Sequence, residues 1–306
     1  MKDTNLHRIK TIREYHQFMG HSKPLHPLIS VINLDLIQDV PFDEPLKLVY
    51  DFYCITLKKN IGIKYSYGQQ EYDFHDGTMF FMAPNQVFGF LVDKGQAVKL
   101  SGWALLIHPD FLWGTTLAKD IKKFDYFDYS ANEALHLSEK EEVIITNIVR
   151  IIEQEYNSTI DKFSQGIIVT QIESLLTYAD RFYQRQFVTR KKANHKILNE
   201  LEIFLSDYFK DNSLVEKGIP SVQSISDNLH VSSNYLSRLL HTITGKSTKE
   251  FINDKLIELA KEKLSTTNLT INEIAYDLGF EYPQSFSKFF KSKTNVSPLK
   301  FRKTFN

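Results

Sequence analysis

Two short segments of this chain carry side chains suited to reading a nucleic acid. In the first, Asn234, Ser237, Arg238 and His241 lie off an apolar stripe of Leu236, Leu239, Leu240 and Ile243, and no Asp or Glu occurs between Ser232 and Gly245. In the second, Gln284, Ser287, Lys288 and Lys291 take the same outward positions, followed by Lys293, Lys300, Arg302 and Lys303. Again no acidic residue occurs between Tyr282 and Asn306. Arg, Asn and Gln form paired hydrogen bonds with purine edges, whereas Lys and Ser suit phosphate oxygens. One such face is as readily an ordinary solvated helix surface. Two in register, both without carboxylates, point to a polyanion.

The elements that would position these residues are duplicated. Val222, Ile225, Leu229 and Val231 match Ile271, Ile274, Leu278 and Phe280 at an offset of 49, and Leu236, Arg238, Leu239, Leu240, Ser247 and Phe251 match Phe286, Lys288, Phe289, Phe290, Ser297 and Phe301 at 50. The inserted residue falls in a turn between two helical patterns. Within each copy, apolar spacings of 3 and 4 predict a short helix, then a turn, then a second helix. Ser232 or Ser233 is the expected cap of the second helix in the first copy, and Gly245 its stop. Thr270-x-x-Glu273 is a capping box, Pro283 suits a first helical position, and Asn295 stands where the first copy has Gly245. Two short helices across a tight turn are the geometry that seats a helix in a major groove.

The run from about 195 to 306 resembles the DNA-binding domain of the AraC/XylS family of transcription regulators. The resemblance is carried by Ser224-Ile225-Ser226 with Leu229, by Ser233-x-Tyr235-Leu236-x-Arg238-Leu239-Leu240, and above all by Ile274-Ala275-Tyr276-Asp277-Leu278-Gly279-Phe280. Phe286-Ser287-Lys288-Phe289-Phe290-Lys291 and Ser297-Pro298-x-x-Phe301-Arg302 complete it. Tyr282 and Pro283 depart from the family pattern. The resemblance implies two helix-turn-helix units joined by a long helix, here Lys249 to Leu264 opened by Ser247-x-x-Glu250, reading successive major-groove segments. It also implies double-stranded promoter DNA and RNA polymerase as partners, a cupin-like N-terminal domain that binds a small-molecule effector, and a helix that pairs subunits in a homodimer.

Length and composition agree with two domains: 306 residues, expected to divide into 1–190 and 195–306, in an α+β fold. Net charge is zero, and from His195 onward 15 basic residues face 13 acidic ones, 15 − 13 = +2, so bulk charge decides nothing. A single cysteine, Cys54, excludes an internal disulfide framework. No apolar run is long enough to cross a bilayer and the first ten residues are polar, so a cytoplasmic protein without a membrane partner is expected.

Residues 1 to about 30 are expected to form an extended arm. From there to about Leu112 the pattern is β: Leu46, Leu48, Tyr50 and Phe52 alternate, as do Ile61, Ile63, Tyr65 and Tyr67. Thr78 to Ala83, Val87 to Leu91 and Val98 to Ile107 read as further strands, separated by turn pairs such as Pro84-Asn85 and Lys94-Gly95. A small barrel or jelly roll follows, and the resemblance makes it cupin-like. Tyr50, Phe52, Tyr65, Tyr67, Phe80, Phe88 and Trp103 are candidates to line an apolar effector pocket, or else plain core. A cupin can be a metal enzyme. His75 and His108 are isolated, however, and Phe88 occupies the loop position after Pro84 where a ligand-like His often stands. No metal, cofactor or catalytic residue is assigned, and the chain is read as a non-enzyme. The alternatives are a cupin metal enzyme with an appended helical domain, and a constitutive DNA binder whose barrel only dimerises.

Beyond Trp113 the pattern turns helical. Ser138-x-x-Glu141 opens one helix, and a second spans about Thr159 to Gln186, where Ile168, Ile172, Leu175, Ala179 and Phe182 recur at 4, 3, 4, 3. That is coiled-coil spacing, and the stripe is a candidate dimer seam as well as a candidate internal packing face. Arg190-Lys191-Lys192 is the expected linker, and Ile197 begins the next domain.

Overall fold

The computed structural model describes residues 6–36, 46–59, 64–67, 70–72, 77–91, 101–130, 133–159, 161–210 and 213–304. The side chains of residues 46, 64–67, 70–72, 90–91 and 191–193 lie outside that description. The chain divides into two units, Met1–Gln186 and Phe187–Asn306.

The first unit holds β1 (Leu6–Ile9), β2 (Ile29–Asn33), β3 (Leu46–Tyr50), β4 (Tyr53–Lys58), β5 (Lys64–Tyr67), β6 (Gln70–Tyr72), β7 (Thr78–Met82), β8 (Val87–Leu91), β9 (Gly102–Ile107) and β10 (Leu135–His136). They form two sheets, β1-β3-β8-β5-β6 and β10-β7-β4-β9-β2, antiparallel except where β1 runs parallel to β3. The short antiparallel strands are as expected, but among the described residues no pairing joins the sheets into a closed barrel.

Alternation along β4 decides both faces of the second sheet. Cys54 pairs with Met82 and Leu106 and joins a core that includes Leu48, Tyr50, Phe52 and Ala104. Burial pushes the Cys54 thiol up to about 12, which keeps it protonated and poorly nucleophilic near neutrality. Ile55 and Leu57 point the other way, as does Phe81, which packs 4.5 Å from the Tyr126 ring; Tyr126 in turn stacks on Tyr183 at 5.3 Å. At the start of β9 Gly102 has φ +113, and a Cβ there would stand 2.1 Å from the Leu57 carbonyl oxygen. Only glycine lets β9 approach β4 so closely.

The expected N-terminal arm is instead part of the core. After β1, Thr11 caps α1 (Ile12–Phe18), whose Ile12 and Tyr15 are buried, and Tyr15 meets Tyr50 edge-on at 5.5 Å. Ile12, Tyr15 and Met19 form a helical stripe too short to stand out against a polar background. The turn at Pro84-Asn85 is present, with Asn85 at φ 70. His75, Ile61, Ile63, Val98 and Lys94-Gly95 lie outside the described residues.

The unit closes with α2 (Leu117–Asp120), α3 (Glu139–Tyr156) and α4 (Ser164–Thr189). The Ser138 capping box forms, and Arg185 reaches back from α4 to the Glu141 carboxylate at 2.6 Å and the His136 carbonyl at 2.7 Å. Burial pushes the Glu141 carboxyl upward, but the Ser138 backbone N–H and Arg185 together hold it below its ordinary value. The five residues of the candidate seam are all buried within the chain: Ile168 4%, Ile172 0%, Leu175 0%, Ala179 0% and Phe182 5% exposed. Tyr126 donates to the Leu176 carbonyl beside them at 2.7 Å. The stripe is therefore used in packing α4 onto its own unit, and a second copy could reach it only by opening that core. Coiled-coil and globular packing share the same 3–4 spacing, so periodicity could not separate them. Leu175→Asp is expected to lower stability by at least about 3 kcal/mol, because a carboxylate would be buried among apolar neighbours. Urea unfolding followed by circular dichroism measures this, and a variant of wild-type stability would return the stripe to the surface.

The second unit is helical: α5 (Lys191–Lys210), α6 (Ser213–Lys217), α7 (Val222–Asn228), α8 (Ser233–Thr244), α9 (Thr248–Thr266), α10 (Ile271–Asp277), α11 (Pro283–Thr294) and α12 (Pro298–Arg302). The basic stretch read as a linker is thus the start of a helix, since nothing in Lys191–His195 breaks one. Two small cores form. Leu201, Leu205, Ile225, Leu236, Leu240 and Ile252 make the first; Leu256, Ala260, Leu264, Ile274, Phe286 and Phe290 belong to the second. Ile252 and Leu256 are one helical turn apart on α9, so that helix serves both cores in succession.

Candidate nucleic-acid interface

The two repeats fold alike, down to single hydrogen bonds. Ser221 caps α7 and Ser232 caps α8, accepting from the backbone of Ser224 at 3.1 Å and Tyr235 at 3.2 Å. In the second copy Thr270 and Glu273 form the capping box at α10, and Pro283 opens α11. The backbone hydrogen bonds to Ser247 hold the Glu250 carboxyl below its ordinary value, and those to Thr270 do the same for Glu273. The turns correspond too: Val231 N–H donates to the Ser226 carbonyl, and Phe280 N–H to the Ala275 carbonyl, each at 3.0 Å. Both turns require a left-handed residue, His230 at φ 55 in the first and Gly279 at φ 76 in the second. The sequence comparison missed this pair, because a His opposite a Gly carries no compositional sign of a shared backbone. Gly245 and Asn295 end the second helices in the left-handed region, as their alignment predicted.

The candidate contact residues divide by surroundings. Asn234, His241, Gln284, Lys288, Lys291 and Lys303 are exposed. Ser237 is half-buried and accepts from the Thr248 hydroxyl at 3.1 Å, which ties α8 to α9; Ser287 is also half-buried. Two cations have structural duties. Arg238 sits with its guanidinium 5.8 Å above the Phe187 ring, and Phe187 packs edge-on against Tyr235 at 5.1 Å. Arg302 donates to the Leu264 carbonyl at 3.3 Å, at the end of α9. Lys293 and Lys246 both pair with Asp254, at 3.4 and 2.7 Å. For Lys288, Lys291 and Lys303 no ion pair occurs among the described residues. Phe187 is the residue that the motif reading overlooked. It is 1% exposed, and Asn194 anchors its carbonyl at 2.5 Å. It lies eight residues before the expected boundary of the domain, outside any repeat.

Residues 225–304 match a family model described as a helix-turn-helix domain. This segment is a helix-turn-helix domain. Among similar proteins, the uncharacterized HTH-type transcriptional regulator YfiF of Bacillus subtilis (strain 168) is 34% identical over 139 residues, 45% of this chain and 41% of that protein. The arabinose operon regulatory protein of Escherichia coli (strain K12) is 30% identical over 99 residues, 32% of each chain. A solved structure, the C-terminal domain of AraT, a response regulator from Geobacillus stearothermophilus, is 30% identical across 35% of this chain and 84% of that one, with a TM-score of 0.31. The chain thus spans 41% or less of the two curated relatives. The matched segment runs from within α7 through α12, with α5 and α6 adding the wall against which Ile225 and Leu278 pack.

Of the candidate effector aromatics with described side chains, Tyr50, Phe52, Phe80 and Phe88 share one core cluster and Trp103 does not. Tyr50 and Phe52 stack at 4.9 Å and Phe88 meets Tyr50 at 4.7 Å, all within one core cluster, while Lys58 extends over Phe80 at 5.2 Å. Trp103 faces the opposite side of its sheet and lines a cleft beside α3. The side chains of Tyr65 and Tyr67 lie outside the described residues. His108 caps a short 3-10 turn, accepting from the Asp110 backbone at 3.2 Å. Among the described residues, no group of three or more His, Cys, Asp or Glu could hold a metal ion, and no helix is long and apolar enough to cross a membrane.

Proposed function

We propose that this chain is a sequence-specific transcription regulator. The AraC-type domain lays α8 and α11 in successive major-groove segments of double-stranded promoter DNA. The observation that carries the reading is the pair of matching helix-turn-helix units whose second helices expose Asn234, His241, Gln284, Lys288 and Lys291 on faces without carboxylates. The N-terminal unit is the sensor for a small molecule. Such a protein works in the cytoplasm beside RNA polymerase, and its copies pair through a surface other than the buried α4 stripe.

Within this reading Arg238 reads a guanine while its guanidinium rests on Phe187, which preorganises it. Arg238→Ala is expected to cost about 1–3 kcal/mol on the preferred site and to flatten preference at one base pair. Selection from a randomised duplex pool at two salt concentrations measures both. If base preference survives and the loss is purely salt-dependent, Arg238 holds phosphate, and reading passes to Asn234 or α11.

A further inference from the structure

The second helices of the two repeats, α8 and α11, belong to separate small cores, and each core takes its own residue of α9, Ile252 for the first and Leu256 for the second. Between those residues stands Asp254, half-buried and in reach of both copies. Its Oδ2 lies 2.7 Å from the Nζ of Lys246, which follows the Gly245 stop of α8. Its Oδ1 lies 3.4 Å from the Nζ of Lys293 in the last turn of α11. Burial pushes the Asp254 carboxyl upward, but Lys246 and Lys293 together hold it below its ordinary value, so it is ionised near neutrality.

The two lysines are not equivalents in the repeat. At the offset of 50, Lys246 falls on Val296 and Lys293 on Ile243. The bridge is thus no part of the duplicated unit; it joins one copy to the other. An isolated surface pair does little, because two long side chains must be ordered against a screened attraction. Here one carboxylate orders two ammonium groups, and its neighbours on α9 add to the field. Asp254 first, then Glu258 and Glu250, hold the Lys246 ammonium above its ordinary value. The separation of α8 and α11 matters because each must reach its own stretch of major groove. One added base pair carries the second stretch about 3.4 Å along the duplex and about 35° around it.

We propose that Asp254 is a positioning residue that holds α8 and α11 at one separation through Lys246 and Lys293, and so sets the spacing of the DNA site that the protein accepts. The inference rests on the DNA-binding reading above. Its first measurement uses no DNA, so the two can fail separately.

In the full-length chain, spin labels introduced through His241→Cys and Lys291→Cys report the separation of α8 and α11 by double electron–electron resonance. These positions correspond in the repeat and are exposed, whereas Cys54 is 2% exposed and stays unlabelled. Dilution into unlabelled protein removes distances between copies. Asp254→Asn should broaden or shift the distance distribution. Glu258→Gln, whose partner Lys255 lies on the same helix, should leave it unchanged. On the preferred duplex from the randomised pool, one base pair inserted between the two contacted segments should weaken wild-type binding at least about tenfold. Asp254→Asn should reduce that penalty about threefold. The penalty is a ratio of two affinities, so the altered charge and any loss of stability act on both duplexes alike and cancel. Lys293→Gln should behave as Asp254→Asn does, and it carries the test if circular dichroism shows Asp254→Asn unfolded. Wild-type distance distributions in these variants, an undiminished insertion penalty, or an equal effect of Glu258→Gln would overturn the proposal. A pool that yields no preferred duplex would count against the DNA-binding reading instead, and the distance distributions alone would then decide the role of Asp254.

Discussion

Replacing Lys288, Lys291 and Lys303 together by alanine is expected to weaken binding to every duplex by roughly a hundredfold at 0.15 M salt, with little change in base preference. Each lysine that neutralises a phosphate contributes about 0.9 to the slope of log affinity against log salt, so the slope should fall by about 3. These three are chosen because they are exposed and, among the described residues, unpaired, whereas Lys293 is engaged by Asp254 and Arg302 by the Leu264 carbonyl. Filter binding or fluorescence anisotropy from 0.05 to 0.3 M salt measures the slope. A slope unchanged in the triple variant would place the DNA on another face. Net charge should not obscure the result, since the chain as a whole is neutral and the effect depends on where the charges stand.

Gly279→Val should unfold the second helix-turn-helix. Its φ of +76 is unfavourable for any side chain, and a Cβ would stand 2.6 Å from the Leu214 carbonyl oxygen and 3.2 Å from the Gly218 Cα. The left-handed conformation alone costs about 1–2 kcal/mol for a residue with a Cβ. Backbone overlap that side-chain rotation cannot relieve brings the expected loss to about 3–5 kcal/mol, the range of severe core lesions. The first copy supplies the control. His230 holds the equivalent position at φ 55, so His230→Gly should leave the fold intact and raise stability by about 0.5–1 kcal/mol. Thermal unfolding of both variants, read at the helical signal, separates them. A Gly279→Val protein as stable as wild type would mean that the turn has another conformation.

The sequence by itself determined the double helix-turn-helix, its caps and its stops, because each rests on interactions spanning three to five residues. Ser232, Thr270 with Glu273, Pro283, Gly245 and Asn295 all act locally, and the 49- and 50-residue offsets made each copy a check on the other. The alternation of β3 was legible for the same reason, whereas β4 was not read from the sequence. What only the tertiary structure decided depends on distant partners. The α4 stripe reads equally as a dimer seam or an internal face, and the choice came from Tyr126 and the other side chains that cover it. Ile12 and Tyr15 looked like part of a tail until Tyr50 and Phe52 were found against them. Arg238 and Arg302 carry the same charge on outward-looking positions, yet one rests on Phe187 and the other caps α9. Of the aromatics proposed for one pocket, Trp103 fell on the opposite face of its sheet from Phe80, because side chains alternate along each strand while strand order is set by pairings far apart in the chain. Local backbone chemistry is written in adjacent residues; burial is a property of what the rest of the chain brings alongside.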